Sequence, residues 1–155
     1  VKLTKSEVCM EVLLLMLLIY ESIDDVRNHS IQVLWPMAFL TGAITRQCIC
    51  RDLSWQMFCG GIAFGLAVLL LSLLYREMIG TGDGLVLCVC GAYLGFAQVV
   101  MLFARAIFLA ALWGIVQIGK QYVKEKRPSK AEMPFIPFLL VSYGSILLEA
   151  GRFVL

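Results

Sequence analysis

The sequence predicts an all-α, polytopic membrane protein of about six transmembrane helices, organised as one domain over residues 1–155. Three observations carry that expectation. Mean hydropathy is +0.87. Hydrophobic residues make up 61% of the chain and charged ones only 15%, against about 25% charged in ordinary soluble domains. The apolar residues also fall into long runs separated by short polar breaks, the pattern of segments that cross a bilayer and reverse.

The runs follow in order. Val8 to Tyr20 is the first; it is rich in leucine and lacks a small-residue cleavage pattern, so it reads as a span and not as a removable signal peptide. Ile31 to Thr45 is the second and the weakest, being short for a span and holding Pro36. Trp55 to Tyr75 is the third, with Trp55 placed as an interfacial anchor. Leu85 to Gly119 is 35 residues long, roughly 52 Å as one helix against a hydrocarbon core of ~30 Å, and so should hold two spans. Their turn is expected near Met101 to Ala106, where Arg105 is the only charge. Pro134 to Leu155 is the last. No tandem repeat, low-complexity tract or second domain interrupts this order.

Charge sets the expected orientation. The net charge of +2 is too small to point to nucleic acid. Lys120, Lys124, Lys126, Arg127 and Lys130 cluster in one loop, which the positive-inside bias places in the cytoplasm, against anionic headgroups. Counting spans back from it puts the breaks after the first, third and fifth helices on that same face. Asp24 and Asp25 follow the first run and Asp83 follows the third, so the three carboxylates are expected to share the cytoplasmic side. They could then meet.

Two carboxylates held close cannot both ionise; one keeps a proton, and the pair supplies a base for water and an acid for a substrate carbonyl. Such chemistry needs no metal and no cofactor. One histidine, His29, and cysteines without zinc-ligand spacing offer little for a metal site or a nucleophilic triad. The six cysteines, Cys9, Cys48, Cys50, Cys59, Cys88 and Cys90, read as small apolar membrane residues, with a redox role left open for Cys48 and Cys50. Gly80 and Gly82 would allow an extended or positive-φ backbone beside Asp83 and close approach of a substrate strand. The bland alternatives are a connector loop at Gly80 to Gly84 and a cap or solvated loop around Asp24 and Asp25.

Other features read as structural. Gly61 with Gly65, and Gly91 with Gly95, have the four-residue spacing that lets helix backbones approach in lipid. Glu11, Glu149 and Arg152 are expected to pair or snorkel at the outer side. Glu21 is expected in a solvated loop, with attraction of basic residues, shared with Asp24, as the alternative.

The stretch Gly80-Thr81-Gly82-Asp83-Gly84-Leu85-Val86-Leu87-Cys88-Val89-Cys90-Gly91-Ala92-Tyr93-Leu94-Gly95 resembles the second catalytic motif of the type IV prepilin peptidases, a Gly-x-Gly-Asp signature opening a helix with Gly-Ala-aromatic-Leu-Gly. Asp25, Arg27 and Ile31 fit the register of the family's first catalytic aspartate, with Asp24 one residue out. Met133-Pro134-Phe135-Ile136-Pro137-Phe138-Leu139 is similar to its Pro-Phe-x-Pro-Phe segment before the last helix. Two positions depart from the pattern: Leu85 stands where the family commonly has lysine, and Gln32 where it commonly has proline.

The resemblance implies an aspartic-type endopeptidase, a hydrolase with Asp25 and Asp83 as catalytic pair and Asp24 as the alternative to Asp25. The substrate it implies is a type IV prepilin or pseudopilin precursor, cut between a basic leader and the hydrophobic helix that follows. The site would face the cytoplasm from a multi-pass protein of the inner (plasma) membrane. Larger members carry an N-terminal segment with two Cys-x-x-Cys pairs and N-methyltransferase activity; neither pair occurs here, so peptidase activity without methylation is expected. Two other readings compete: an intramembrane aspartyl protease of the wider Gly-x-Gly-Asp group, similar to presenilin, acting on another single-span substrate; and a non-enzymatic membrane assembly or cation-binding protein.

Overall fold

A computed structural model describes residues 5–28, 33–50, 53–74, 81–123 and 135–149. Among these residues there are six helices and no strand: α1 (Lys5–Asn28), α2 (Leu34–Cys50), α3 (Trp55–Leu74), α4 (Thr81–Leu94), α5 (Phe96–Val123) and α6 (Ile136–Glu149). The all-helical expectation holds. Two helices are long and apolar enough to cross a membrane, Trp55–Leu74 and Phe96–Gly119.

Local chemistry explains several boundaries. Ser54 caps α3: its side-chain oxygen accepts from Met57 N–H at 3.4 Å and its carbonyl accepts from Phe58 N–H at 3.0 Å. Gln47 ties the end of α2 to the turn before α3, donating to the Leu53 carbonyl at 2.6 Å while its own carbonyl accepts from Leu53 N–H at 3.3 Å. Pro36 does not break the second run, because α2 begins at Leu34 and Pro36 therefore sits in the first turn, where backbone N–H groups have no intrahelical partner to lose. Pro137 likewise falls in the first turn of α6, behind Phe135, whose carbonyl accepts from Phe138 N–H at 3.0 Å and Leu139 N–H at 3.3 Å.

The fourth run divides at Gly95 and not near Met101 to Ala106. Gly95 has φ +81°, a left-handed conformation that glycine adopts without the steric cost other residues meet. Hydrogen bonds continue through it, from Gly95 N–H to the Gly91 carbonyl and from Val99 N–H to the Gly95 carbonyl. Searching for a polar turn misses such a break, since it needs one backbone torsion and no polar residue. Arg105 consequently lies within α5, where it forms a 2.7 Å ion pair with Glu149 and donates to Ser145 Oγ at 3.3 Å. The expected pairing of Glu149 is present; Arg152 lies outside the described residues.

α4 is the centre of the molecule and contacts α3 most extensively, then α2, α5 and α1. Val86, Leu87, Cys88, Val89 and Cys90 are all buried. Five consecutive buried positions mean that α4 is covered on every side, as an apolar helix inside a bundle must be. The other helices keep apolar outer faces, including Leu66, Leu70 and Leu74 on α3 and Phe108, Leu112 and Ile115 on α5. Apolar surface on that scale is what a hydrocarbon solvent would cover.

The α3–α4 contact is backbone on backbone. A Cβ at Gly61 would collide with the Gly91 carbonyl, one at Gly65 with the Cys88 backbone, and one at Gly84 would come 2.5 Å from Leu69 Cα. Gly61 and Gly65 thus act as the expected small-residue pair. Gly91 faces Gly61, but its expected partner Gly95 belongs to the helix break instead.

Candidate active site

The inward face of α1 carries Leu14, Leu17 and Leu18, buried in the same core cluster as Val86 and Leu87 of α4 and Ile136, Leu139 and Tyr143 of α6. Continued at helical spacing, this stripe reaches Glu21 and Ser22, both buried, and then Asp24 and Asp25, half-buried. All four lie inside α1, which runs to Asn28. The two aspartates are therefore held on a helix and do not occupy the loop that their polarity suggested.

Asp83 is in the first turn of α4 and is 9% exposed. A carboxylate there complements the unpaired N–H groups of a helix start. The connector-loop alternative fails for this residue, because Asp83 is part of the most enclosed helix of the chain. Gly82 is helical and half-buried, so it does not supply the expected extended or positive-φ backbone; among the described residues the positive-φ glycine is Gly95. Gly80 and His29 lie outside the described residues, as do Lys124 to Lys130. Leu85 follows Asp83 on α4, half-buried.

The structure thus brings Glu21, Asp24 and Asp25 together near the end of α1 and presents Asp83 from α4, a helix that α1 contacts. Glu21 is the residue that reading the sequence misplaced. It is 0% exposed, and among the described residues neither carboxyl oxygen has a hydrogen-bond partner. It lies past the apolar run ending at Tyr20, where burial, then Asp24, then Asp25, push its carboxyl up to about 7. The signal was present: Leu14, Leu17, Leu18 and Glu21 share one helical face. A charge was read as the end of the helix, when its spacing marked the next inward position.

Beside this end of α1 is an apolar cavity of about 230 Å³ between α1 and α2, lined by Met16, Leu17, Tyr20, Trp35 and Phe39. Tyr20 and Trp35 meet edge-to-face across it with centroids 5.7 Å apart. On α4, Tyr93 donates to the Phe39 carbonyl at 3.3 Å and so joins α2 to the centre. Cys88 and Cys90 are buried on α4, whereas Cys48, Cys50 and Cys59 are exposed; all five are free thiols.

Fold and side chains together define a small helical bundle with apolar outer faces and carboxyl groups enclosed on two of its helices. The chain belongs to the type IV leader peptidase family, whose model matches residues 12–115. That family is one of peptidases, which places the chain among the hydrolases, and its membrane association agrees with the apolar outer faces of the helices. The matched stretch includes Asp24, Asp25 and Asp83; the segment Met133 to Leu139 lies beyond it. No curated protein and no solved structure matches the chain.

Proposed function

We propose that the protein is an intramembrane aspartic endopeptidase that removes a basic leader from prepilin-like or pseudopilin-like precursors, with Asp25 and Asp83 as the catalytic pair. The observation that carries this reading is the enclosure of Asp83 at the start of the central helix, within the stretch matched by a peptidase family. Asp25 is supported over Asp24 by register with the family motif. The chain is read as multi-pass in the inner membrane, with both aspartates at the cytoplasmic boundary, where a substrate's basic leader would meet its hydrophobic helix.

In this mechanism one aspartate is ionised and accepts a proton from water, while the other, protonated, donates to the scissile carbonyl oxygen as water adds to its carbon. On collapse of the tetrahedral gem-diol the first aspartate gives its proton to the leaving amine as the C–N bond breaks, and the second takes a proton from one of the diol hydroxyls as the carbonyl re-forms. Both carboxyl groups then hold the single proton with which they began. Leu85 places an apolar side chain two residues beyond Asp83, where the family commonly presents a cation; precursor handling should differ there.

The test is cleavage of a leader-bearing precursor by protein purified in detergent. Asp83→Asn and Asp25→Asn should each abolish cleavage with the fold retained, and Asp24→Asn should not. Full activity in Asp25→Asn with loss in Asp24→Asn would transfer the role to Asp24. Cleavage only of single-span substrates lacking a basic leader would instead favour the wider Gly-x-Gly-Asp protease reading.

A further inference from the structure

We propose that Glu21 is a third carboxyl group of this site, held as the neutral acid so that negative charge at this end of α1 rests on Asp24 and Asp25. It is a positioning residue, acting through those two aspartates; as a role within the site, this rests on the protease reading above.

The geometry leads there in three steps. Glu21 is completely enclosed, and among the described residues neither of its oxygens has a hydrogen-bond partner. An ionised carboxylate in that state would be desolvated without compensation, whereas the neutral acid is much less costly to bury. Glu21 also stands three residues before Asp24 and four before Asp25, positions that are neighbours on a helix, with Cβ atoms about 5–6 Å apart. A second negative charge there would oppose the first. The value of about 7 to which burial and these neighbours push its carboxyl agrees.

Among the described residues the surroundings contain little that would reverse this. On α1 itself the remaining charge near this end is Arg27, which is exposed. α4 offers Asp83, a further acid, together with the thiols Cys88 and Cys90. On α6 the titratable groups are Tyr143, whose hydroxyl donates to the Glu11 carbonyl at 3.5 Å, and Glu149, paired with Arg105. The charges that bear on Glu21 are thus those of Asp24 and Asp25. When it does ionise, the added negative charge favours retention of the single proton that the catalytic pair shares, and so bears on the alkaline side of its pH dependence.

The experiment pairs infrared titration with pH–cleavage profiles on the full chain in detergent, comparing wild type with Glu21→Gln and with Glu21→Met. The wild type should show a protonated carboxylic-acid band that persists to near neutral pH and is stronger than in either variant, where only the proton of the catalytic pair remains. Cleavage should fall on the alkaline side as the catalytic pair loses its shared proton, and Glu21→Gln, which lacks the negative charge that helps to retain it, should move that limb downward by about half a pH unit or more. Because Glu21 makes no hydrogen bond, Glu21→Met should remain folded and supplies the comparison if Glu21→Gln does not. An acid band unaffected by replacing Glu21 would overturn the proposal, as would alkaline limbs that coincide in wild type and variant. If the wild type cleaves no leader-bearing precursor, the protease reading fails, and the infrared titration still decides the protonation state of Glu21.

Discussion

The two helices that carry the aspartates are held in opposite ways. α4 is locked against α3 along a seam where Gly61 meets Gly91, Gly65 meets Cys88 and Gly84 meets Leu69, with no room for even one added carbon. α1 packs chiefly on α6, touches α4 more lightly, and is separated from α2 by an apolar cavity bridged by the rings of Tyr20 and Trp35. Asp83 is mounted on the tight side and Asp24 and Asp25 on the loose one. In a membrane, where lipid removes the hydrophobic drive between helices, close backbone packing is the main means of fixing a helix. Asp83 is therefore on the more firmly fixed of the two helices, and on the protease reading proposed above any adjustment to a substrate helix would fall to α1.

The largest effect should come from chemistry at the fixed side. Asp83→Asn should lower precursor cleavage by at least ~10²-fold, the usual minimum contribution of a positioned acid or base, with an unchanged thermal melt. Next is the seam itself. Gly61→Leu should destabilise the fold by about 3 kcal/mol or more, because the collision is with backbone that cannot rotate away; a detergent melt of that variant, compared with Leu66→Ala on the outer face, measures the contrast.

Glu21 gives the third test, on the loose side. Its carboxyl is raised from 4.5 to about 7 in the folded chain, so the folded state binds more protons than the unfolded one across that interval. Its contribution to stability is present in full below 4.5 and is lost as pH rises through about 7. Melting temperature should fall over that window in wild type and fall less in Glu21→Gln. The smallest effect is expected at Tyr93→Phe, which removes one hydrogen bond between α4 and α2 and should cost about 0.5–1.5 kcal/mol in the same melt. A larger loss would mean that α2, too, is fixed chiefly through the centre.

The same contrast governs what could be read from the sequence. α3 was legible almost to the residue, from Trp55 to Leu74 against an expected end at Tyr75, because a continuous apolar run of that length has few other readings. The Gly61–Gly65 pair was legible for the same reason: its spacing is a property of one helix. Gly95 was not, since nothing in its neighbours distinguishes a packing glycine from one that must bend; only the backbone torsion does. Asp83 was placed at the right boundary but on the wrong side of it, inside the helix and not in a loop. Glu21, Asp24 and Asp25 were misread together, because polarity was taken to end α1 when the stripe of Leu14, Leu17 and Leu18 continued through them. Burial of an acid is decided by what packs over its helix, and α1 packs on α6 and α4, which lie far along the chain.

One further consequence follows from the enclosure of α4. Seen from the lipid, this helix is nearly absent: a photoreactive probe dissolved in acyl chains would mark Leu70 and Leu74 on α3 and Phe108 and Ile115 on α5, which are exposed, and leave Val86, Leu87 and Val89 unmarked. A solvent-borne thiol reagent would be similarly selective, reaching Cys48 and Cys50 before Cys88 and Cys90. The helix that names the family's signature is the one that outside chemistry reaches last.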